Sequence, residues 1–182
     1  MAETDEKELN QLGALIIAFG TTISSAAETI NLAEDQFDND LLSIIGDGFQ
    51  AFGAFLLGVT TFPDWLSFFG NWADGIGAAT AAVGVALNRY DVIEDEEGTR
   101  LIILGDSLQT IGAGMATLSN YELEAYDFMV GNAAQSFGAG LKAVGAVVVE
   151  SDSLQVGQFI VTAGTIIQAL GANYVAGLEL RE

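Results

Sequence analysis

The chain has 182 residues, an apolar fraction of 51% and a net charge of −20. Only 16% of its residues are charged, and 25 acids face 5 bases, so nearly every charge is a carboxylate. This balance excludes a nucleic-acid partner and disfavours anionic lipid headgroups, because both bind to basic patches. Dense carboxylates keep a protein soluble at high salt, so we predict a halophilic source.

The sequence contains no cysteine and no histidine. It therefore lacks disulfides, thiol chemistry, the commonest general base and the commonest metal ligand. We predict a protein that is not an enzyme and has no catalytic residue, no cofactor and no metal. The acidic start MAETDEKELN differs from a basic signal-peptide n-region, so we expect a cytoplasmic location.

One cassette recurs six times along the chain, and GDSLQTIGAG at residues 105–114 is its clearest copy. A glycine is followed by an acid or amide, by glutamine four places on and by a second glycine seven places on. The first glycines are Gly13, Gly46, Gly70, Gly105, Gly131 and Gly157. The second glycines are Gly20, Gly53, Gly77, Gly112, Gly138 and Gly164, and the glutamines of the pattern are Gln50, Gln109 and Gln135. Such a repeat predicts one structural unit per cassette.

Apolar residues around each cassette recur with helical periodicity, for example at the sixth place after the first glycine. We predict that this stripe faces a core, that the polar places face solvent, and that the glycines and glutamines between them pack against neighbouring helices. The predicted fold is all-α: a six-helix antiparallel bundle built from six Gly-x6-Gly helical repeats.

The connections are predicted from polar clusters taken in chain order. They are Asp38-Asn39-Asp40 before the second helix, Pro63-Asp64 before the third, Asn120 to Glu124 before the fifth and Ser151 to Ser153 before the sixth. The acidic stretch from Asp91 to Gly98 is predicted to be a solvated linker. It joins halves of about 1–90 and 99–182 within one domain of 1–182.

Six apolar helices with regular glycines also suit a membrane bundle. We favour a soluble bundle because charged residues fall near the middles of the segments, where each acid costs about 2.5–3.5 kcal/mol in a bilayer. These residues are Asp47, Asp74, Asp106 and Lys142. We expect Lys142 on the surface, and the aspartates are candidates to converge across helices and share a proton.

Aromatic residues are concentrated in the second and third units. They are Phe49, Phe52, Phe55, Phe62, Trp65, Phe68, Phe69 and Trp72. Core packing is the favoured interpretation. A pocket for an apolar ligand and a self-association surface stay open as alternatives.

The segments LGDSLQTIGAG and VGNAAQSFGAG resemble the repeated motif of small repetitive proteins from Bacillus-type bacteria, a domain of unknown function. The chain departs from that motif at Ile17 and Val161, which replace the glutamine. The resemblance implies no activity and no site residue.

We therefore predict a non-enzymatic structural protein that self-assembles through glycine grooves, with a homo-oligomer or another protein as its partner. Ile17 and Val161 mark candidate docking faces. The alternative is a membrane-embedded glycine-rich bundle, such as a pore or a holin-like factor.

Overall fold

The computed structural model describes residues 3–33, 39–151 and 153–181. They form α1 (Glu3–Ala33), α2 (Asp40–Thr60), α3 (Trp65–Arg89), α4 (Asp95–Glu122), α5 (Tyr126–Glu150) and α6 (Leu154–Glu179). The described residues contain no strand, so the predicted all-α, six-helix fold is confirmed.

The six helices form a closed ring. Within the described ranges each helix contacts its two neighbours in sequence, and α6 returns to contact α1. Gln11 Nε2 donates to the carbonyl oxygen of Glu179 at 2.9 Å, and Gln158 Nε2 donates to Glu28 Oε2 at 2.8 Å. These two bonds join opposite ends of α1 and α6, so the closing pair is antiparallel like the others.

Glycines face each other where consecutive helices meet. A Cβ on Gly105 would lie 2.5 Å from the carbonyl oxygen of Gly77, and one on Gly20 would lie 2.5 Å from that of Gly46. The same facing arrangement joins Gly13 with Gly53, Gly70 with Gly112, Gly131 with Gly171, Gly138 with Gly164 and Gly145 with Gly157. A side chain at these positions would hold the backbones apart, so glycine sets the close spacing within each helical hairpin.

The apolar stripe covers the outside of the ring, so its predicted place in the core is wrong. Five of its six sixth-place residues are 49–61% exposed: Phe19, Phe52, Ile76, Ile111 and Phe137. We call these five residues the outer belt. Periodicity shows that a helix has two unlike faces, but it cannot show which face points inward. The polar faces bond to one another and therefore gather at the centre.

The interior is built from small and polar side chains. The largest fully buried ones are all polar: Gln50, Gln109, Gln168, Asn39, Thr21, Thr165, Asp106 and Ser119. The buried apolar residues are almost all alanine. A bundle folded by burial of Leu, Ile and Phe in water would show the opposite distribution.

Three helical hairpins (α1–α2, α3–α4 and α5–α6) repeat around the ring. Gln50, Gln109 and Gln168 occupy equivalent places, and successive members are 59 residues apart. The sixth cassette therefore runs from Gly164 to Gly171, with Gln168 as its glutamine, rather than from Gly157 with Val161.

Two other sequence predictions need correction. The second half of the acidic stretch predicted as a linker lies in the first turn of α4, where Asp95, Glu96 and Glu97 favour the positive end of the helix dipole. Ile17 is buried and Val161 lines an internal cavity, so neither residue marks a docking face. The predicted cap residue Asp38 lies outside the described residues.

Candidate functional site

Three glutamines meet at the axis of the ring, one from each hairpin. Gln50 Nε2 donates to Gln109 Oε1 at 2.9 Å, and Gln168 Nε2 donates to the same oxygen at 2.7 Å. We call these residues the glutamine triad; all three are at most 2% exposed. Because these side-chain amides bond to one another across the axis, the triad closes the axis halfway along the bundle.

A charged layer lies directly beside the triad. Gln109 Nε2 donates to Asp106 Oδ1 at 3.3 Å, and Lys142 Nζ lies 2.8 Å from the same carboxylate oxygen. Lys142 is 7% exposed, so its predicted surface position is wrong. Buried charges of this kind persist when they are paired and hydrogen-bonded, as this pair is.

A cavity of about 80 Å³ lies on one side of the triad, and residues from all six helices line it. Its polar lining residues are Ser24, Glu28, Ser43, Asp47, Asp106, Lys142 and Thr165. We call it the carboxylate cavity. Ser24 Oγ donates to Asp47 Oδ1 at 2.9 Å, and Glu28 accepts from Gln158.

A second cavity, of about 30 Å³, lies on the other side of the triad and is also lined by all six helices. Its polar lining residues are Asn71, Asp74, Asn132 and Gln135. Asp74 Oδ1 accepts a hydrogen bond from Gln50 Nε2 at 3.3 Å. Small polar cavities that adjoin several hydrogen-bonding groups can hold ordered water. Along the axis, the glutamine triad therefore lies between two polar cavities and separates them.

The sequence-predicted residues fall into two groups. The cassette glycines lie where helices touch, while the side-chain amides of Gln50 and Gln109 bond to each other at the axis rather than to a neighbour's backbone. Gln135 is buried beside the second cavity and donates to Asn132 Oδ1 at 3.0 Å. Asp47 and Asp106 converge on the carboxylate cavity, whereas Asp74 lies beyond the triad.

Sequence reasoning missed Gln168 and Glu28. Gln168 was detectable from the sequence, since GTIIQALG at residues 164–171 has both glycines and the glutamine of the cassette, with Thr165 in place of the acid or amide. Glu28 carried no signal of its own, because it lies outside any cassette. The described residues hold no group of three or more His, Cys, Asp and Glu that could bind a metal ion.

The aromatic residues predicted to pack in a core lie mostly outside. Phe52, Phe62, Trp65 and Phe69 are each more than half exposed. Three of them contact one another: Phe62 lies edge-on to Trp65 with ring centroids 5.0 Å apart, and Trp65 stacks on Phe69 at 5.7 Å. Core packing is therefore the wrong interpretation for these four residues.

Comparison with known proteins gives a family but no activity. The family described as "Family of unknown function (DUF6944)" matches residues 8–176. The chain belongs to this family. No curated protein and no solved structure matches this DUF6944 member. The predicted membership of an uncharacterised family is thus confirmed, while the Bacillus-type origin of the motif stays a prediction.

Four helices of this DUF6944 protein, α1, α2, α4 and α6, are long and apolar enough to cross a membrane by length and composition. The other two, α3 and α5, carry Asp74 and Lys142 and are each 25 residues long. All six belong to one ring, so a bilayer around four of them would surround the other two as well.

Proposed function

We propose that the chain is an integral membrane protein whose six helices surround a polar axis that handles a small charged solute. The observation that carries this proposal is the reversed polarity of the ring. Large apolar side chains point outward, and glutamine, aspartate and lysine point inward. Each Leu- or Phe-sized side chain left in water forgoes about 1.5–3 kcal/mol of burial energy, whereas in lipid it forgoes nothing comparable.

The dimensions of the ring support a bilayer location. The shortest helix has 21 residues and spans about 31 Å, close to the thickness of the hydrocarbon core. Charged side chains outside the interior lie near the helix ends across the described ranges. Trp65, Tyr121 and Tyr126 are exposed at one end of the ring, as aromatic residues are at a membrane interface.

The charged residues near the middles of the helices agree with this proposal, although in the sequence analysis they favoured a soluble bundle. Asp106 and Lys142 pair with each other inside the ring, and Asp47 and Asp74 accept hydrogen bonds there. Ionisable groups at membrane depth face a bundle interior and mark pathways for ions or protons. Their placement therefore supports handling of a charged solute and gives no support to catalysis.

Self-assembly of a soluble ring is the competing proposal, because copies could cover the outer belt. The belt extends around α1 to α5, so a two-fold dimer would cover one side and leave the opposite side in water. A halophilic source and a cytoplasmic location belong to this alternative.

The absence of cysteine allows a direct test in isolated, opened membranes. Single variants Phe19→Cys and Ile111→Cys place a thiol on α1 and α4, on opposite sides of the ring. Both should react far more slowly with a water-soluble maleimide than Glu124→Cys, which lies in an exposed connection. All three should react equally after denaturation in SDS.

The outcomes separate the two proposals. A protein that leaves the membrane with carbonate and reacts at both belt thiols is not membrane-embedded. Rapid reaction at one belt position and protection at the other indicates a soluble dimer. Protection at both positions, together with a requirement for detergent, supports the membrane proposal.

A further inference from the structure

We propose that the carboxylate cavity binds a proton at Asp47, and that Lys142 sets how many of the cavity's carboxylates remain charged. This inference rests on the membrane location proposed above and names the solute.

The cavity has more carboxylates than cations. Glu28, Asp47 and Asp106 line it together with one ammonium, that of Lys142. The ammonium lies 2.8 Å from Asp106 and neutralises that group, while Asp47 receives the Ser24 hydroxyl. A carboxylate without an ion pair of its own is costly inside a ring surrounded by lipid. Asp47 is 5% exposed and more deeply buried than Glu28, so a bound proton lowers this cost most at Asp47.

The spacing of the donors favours a proton over a metal ion. The part of the chain that the structure describes brings no three acidic groups close enough to ligate a metal, although hard cations need several oxygen ligands at once. The volume of about 80 Å³ admits several water molecules, since about 10–15 Å³ suffices for one. A hydronium ion in this space transfers a proton to a carboxylate oxygen of Asp47. One O–H bond of hydronium breaks, one O–H bond forms on the carboxyl group, and water remains.

The neighbours of Asp47 define its electrostatic environment. Glu28 faces it from α1, Asp106 from α4 and Lys142 from α5, and all three line the same cavity. On α3 the charged group is Asp74, which lines the second cavity instead. Helix α6 contributes the uncharged Thr165 to the cavity. The glutamine triad separates the cavity that Asp47 lines from the cavity that holds Asp74.

Infrared spectroscopy of the detergent-solubilised protein between acidic and alkaline pH tests the assignment. A protonated carboxyl group gives its own carbonyl stretching band. Asp47→Asn should remove one component of that band, and Asp47→Glu should restore it at a shifted frequency. Asp74→Asn is the matched control, because it should leave the Asp47 component unchanged.

Lys142→Met tests the role of the ammonium. Without its counter-charge Asp106 should also take up a proton, so the band should gain one component at neutral pH. An unchanged band in Asp47→Asn, or no gain in Lys142→Met, would overturn the proposal. Loss of the Asp47 component when sodium is added at constant pH would assign the site to a metal cation instead.

Failure here can be told apart from failure of the membrane proposal. Protected belt thiols with an unchanged infrared band leave the membrane location standing and remove the proton site. Freely reacting belt thiols remove the membrane location whatever the infrared band shows.

Discussion

Substitution of Gly105 by alanine is the sharpest test of how the ring is held together. The added Cβ would lie 2.5 Å from the carbonyl oxygen of Gly77 and 2.6 Å from the amide nitrogen of Ala81. Both atoms belong to the backbone of α3, so no side chain can rotate away. The α3–α4 pair must separate by about 1 Å to reach ordinary contact, and overpacking of this kind costs about 1–3 kcal/mol.

Gly48→Ala is the matched control. Gly48 also lies in a helix, but an added Cβ there would have no atom of another helix within 4 Å. Alanine favours a helix over glycine by up to about 1 kcal/mol, so the control should be neutral or slightly stabilising. Unfolding in SDS, followed by the fluorescence of Trp65 and Trp72, gives the free energy of unfolding of each variant. Equal stability of the two variants would refute the claim that facing glycines set the helix spacing.

Three further predictions concern the axis, the outer belt and one helix start. Gln109→Ala removes three hydrogen bonds that Gln109 makes with Gln50, Gln168 and Asp106. At about 0.6 kcal/mol or more per bond, it should lower the free energy of unfolding in the same SDS assay by roughly 2 kcal/mol. Ile111→Glu places a carboxylate on the outer belt and should disfavour insertion by about 2.5–3.5 kcal/mol, seen as a smaller membrane fraction after expression; an unchanged fraction would argue against lipid contact at that position. Asp64→Ala should cost about 1 kcal/mol, because Asp64 accepts hydrogen bonds from the first amides of α3.

Asp64 also gives a pH dependence with a definite sign. Partial desolvation raises the pKa of Asp64. Hydrogen bonds from Ser119 and from the Ser67 and Leu66 amides together lower this pKa by more, so the pKa lies below its ordinary value. A lowered pKa in the folded state means that the carboxylate stabilises the fold at neutral pH and loses this effect as the pH falls through that pKa. The unfolding free energy of the wild-type chain should therefore fall in acid by more than that of Asp64→Ala. Parallel pH profiles for the two proteins would contradict this.

The sequence predicted the helices better than it predicted their orientation. Gly-x6-Gly spacing and apolar periodicity were sufficient for six antiparallel helices with glycines at the contacts. They could not show that Phe52 and Ile111 face outward, because an amphipathic pattern is the same whichever face is buried. Counting from the first glycine also concealed Gln168, although counting by glutamine would have revealed the 59-residue interval.

The charged residues of the site were visible as residues but not as a cluster. Asp47, Asp106 and Lys142 lie on three different helices, and only the closure of the ring brings them to one cavity. Glu28 joins them because α1 and α6 meet, a contact between the two ends of the chain that no local pattern encodes. Long-range pairing of this kind depends on how the hairpins are arranged.

Contact between the first and last helices has a consequence for the order in which the hairpins are connected. A gene that joins residue 181 to residue 3 through a short linker and opens the chain between Thr60 and Trp65 would encode α3 to α6 followed by α1 and α2. Every interface between helices would be retained in that circular permutant. Which hairpin comes first in the chain is thus interchangeable, whereas the order of the hairpins around the common axis is not.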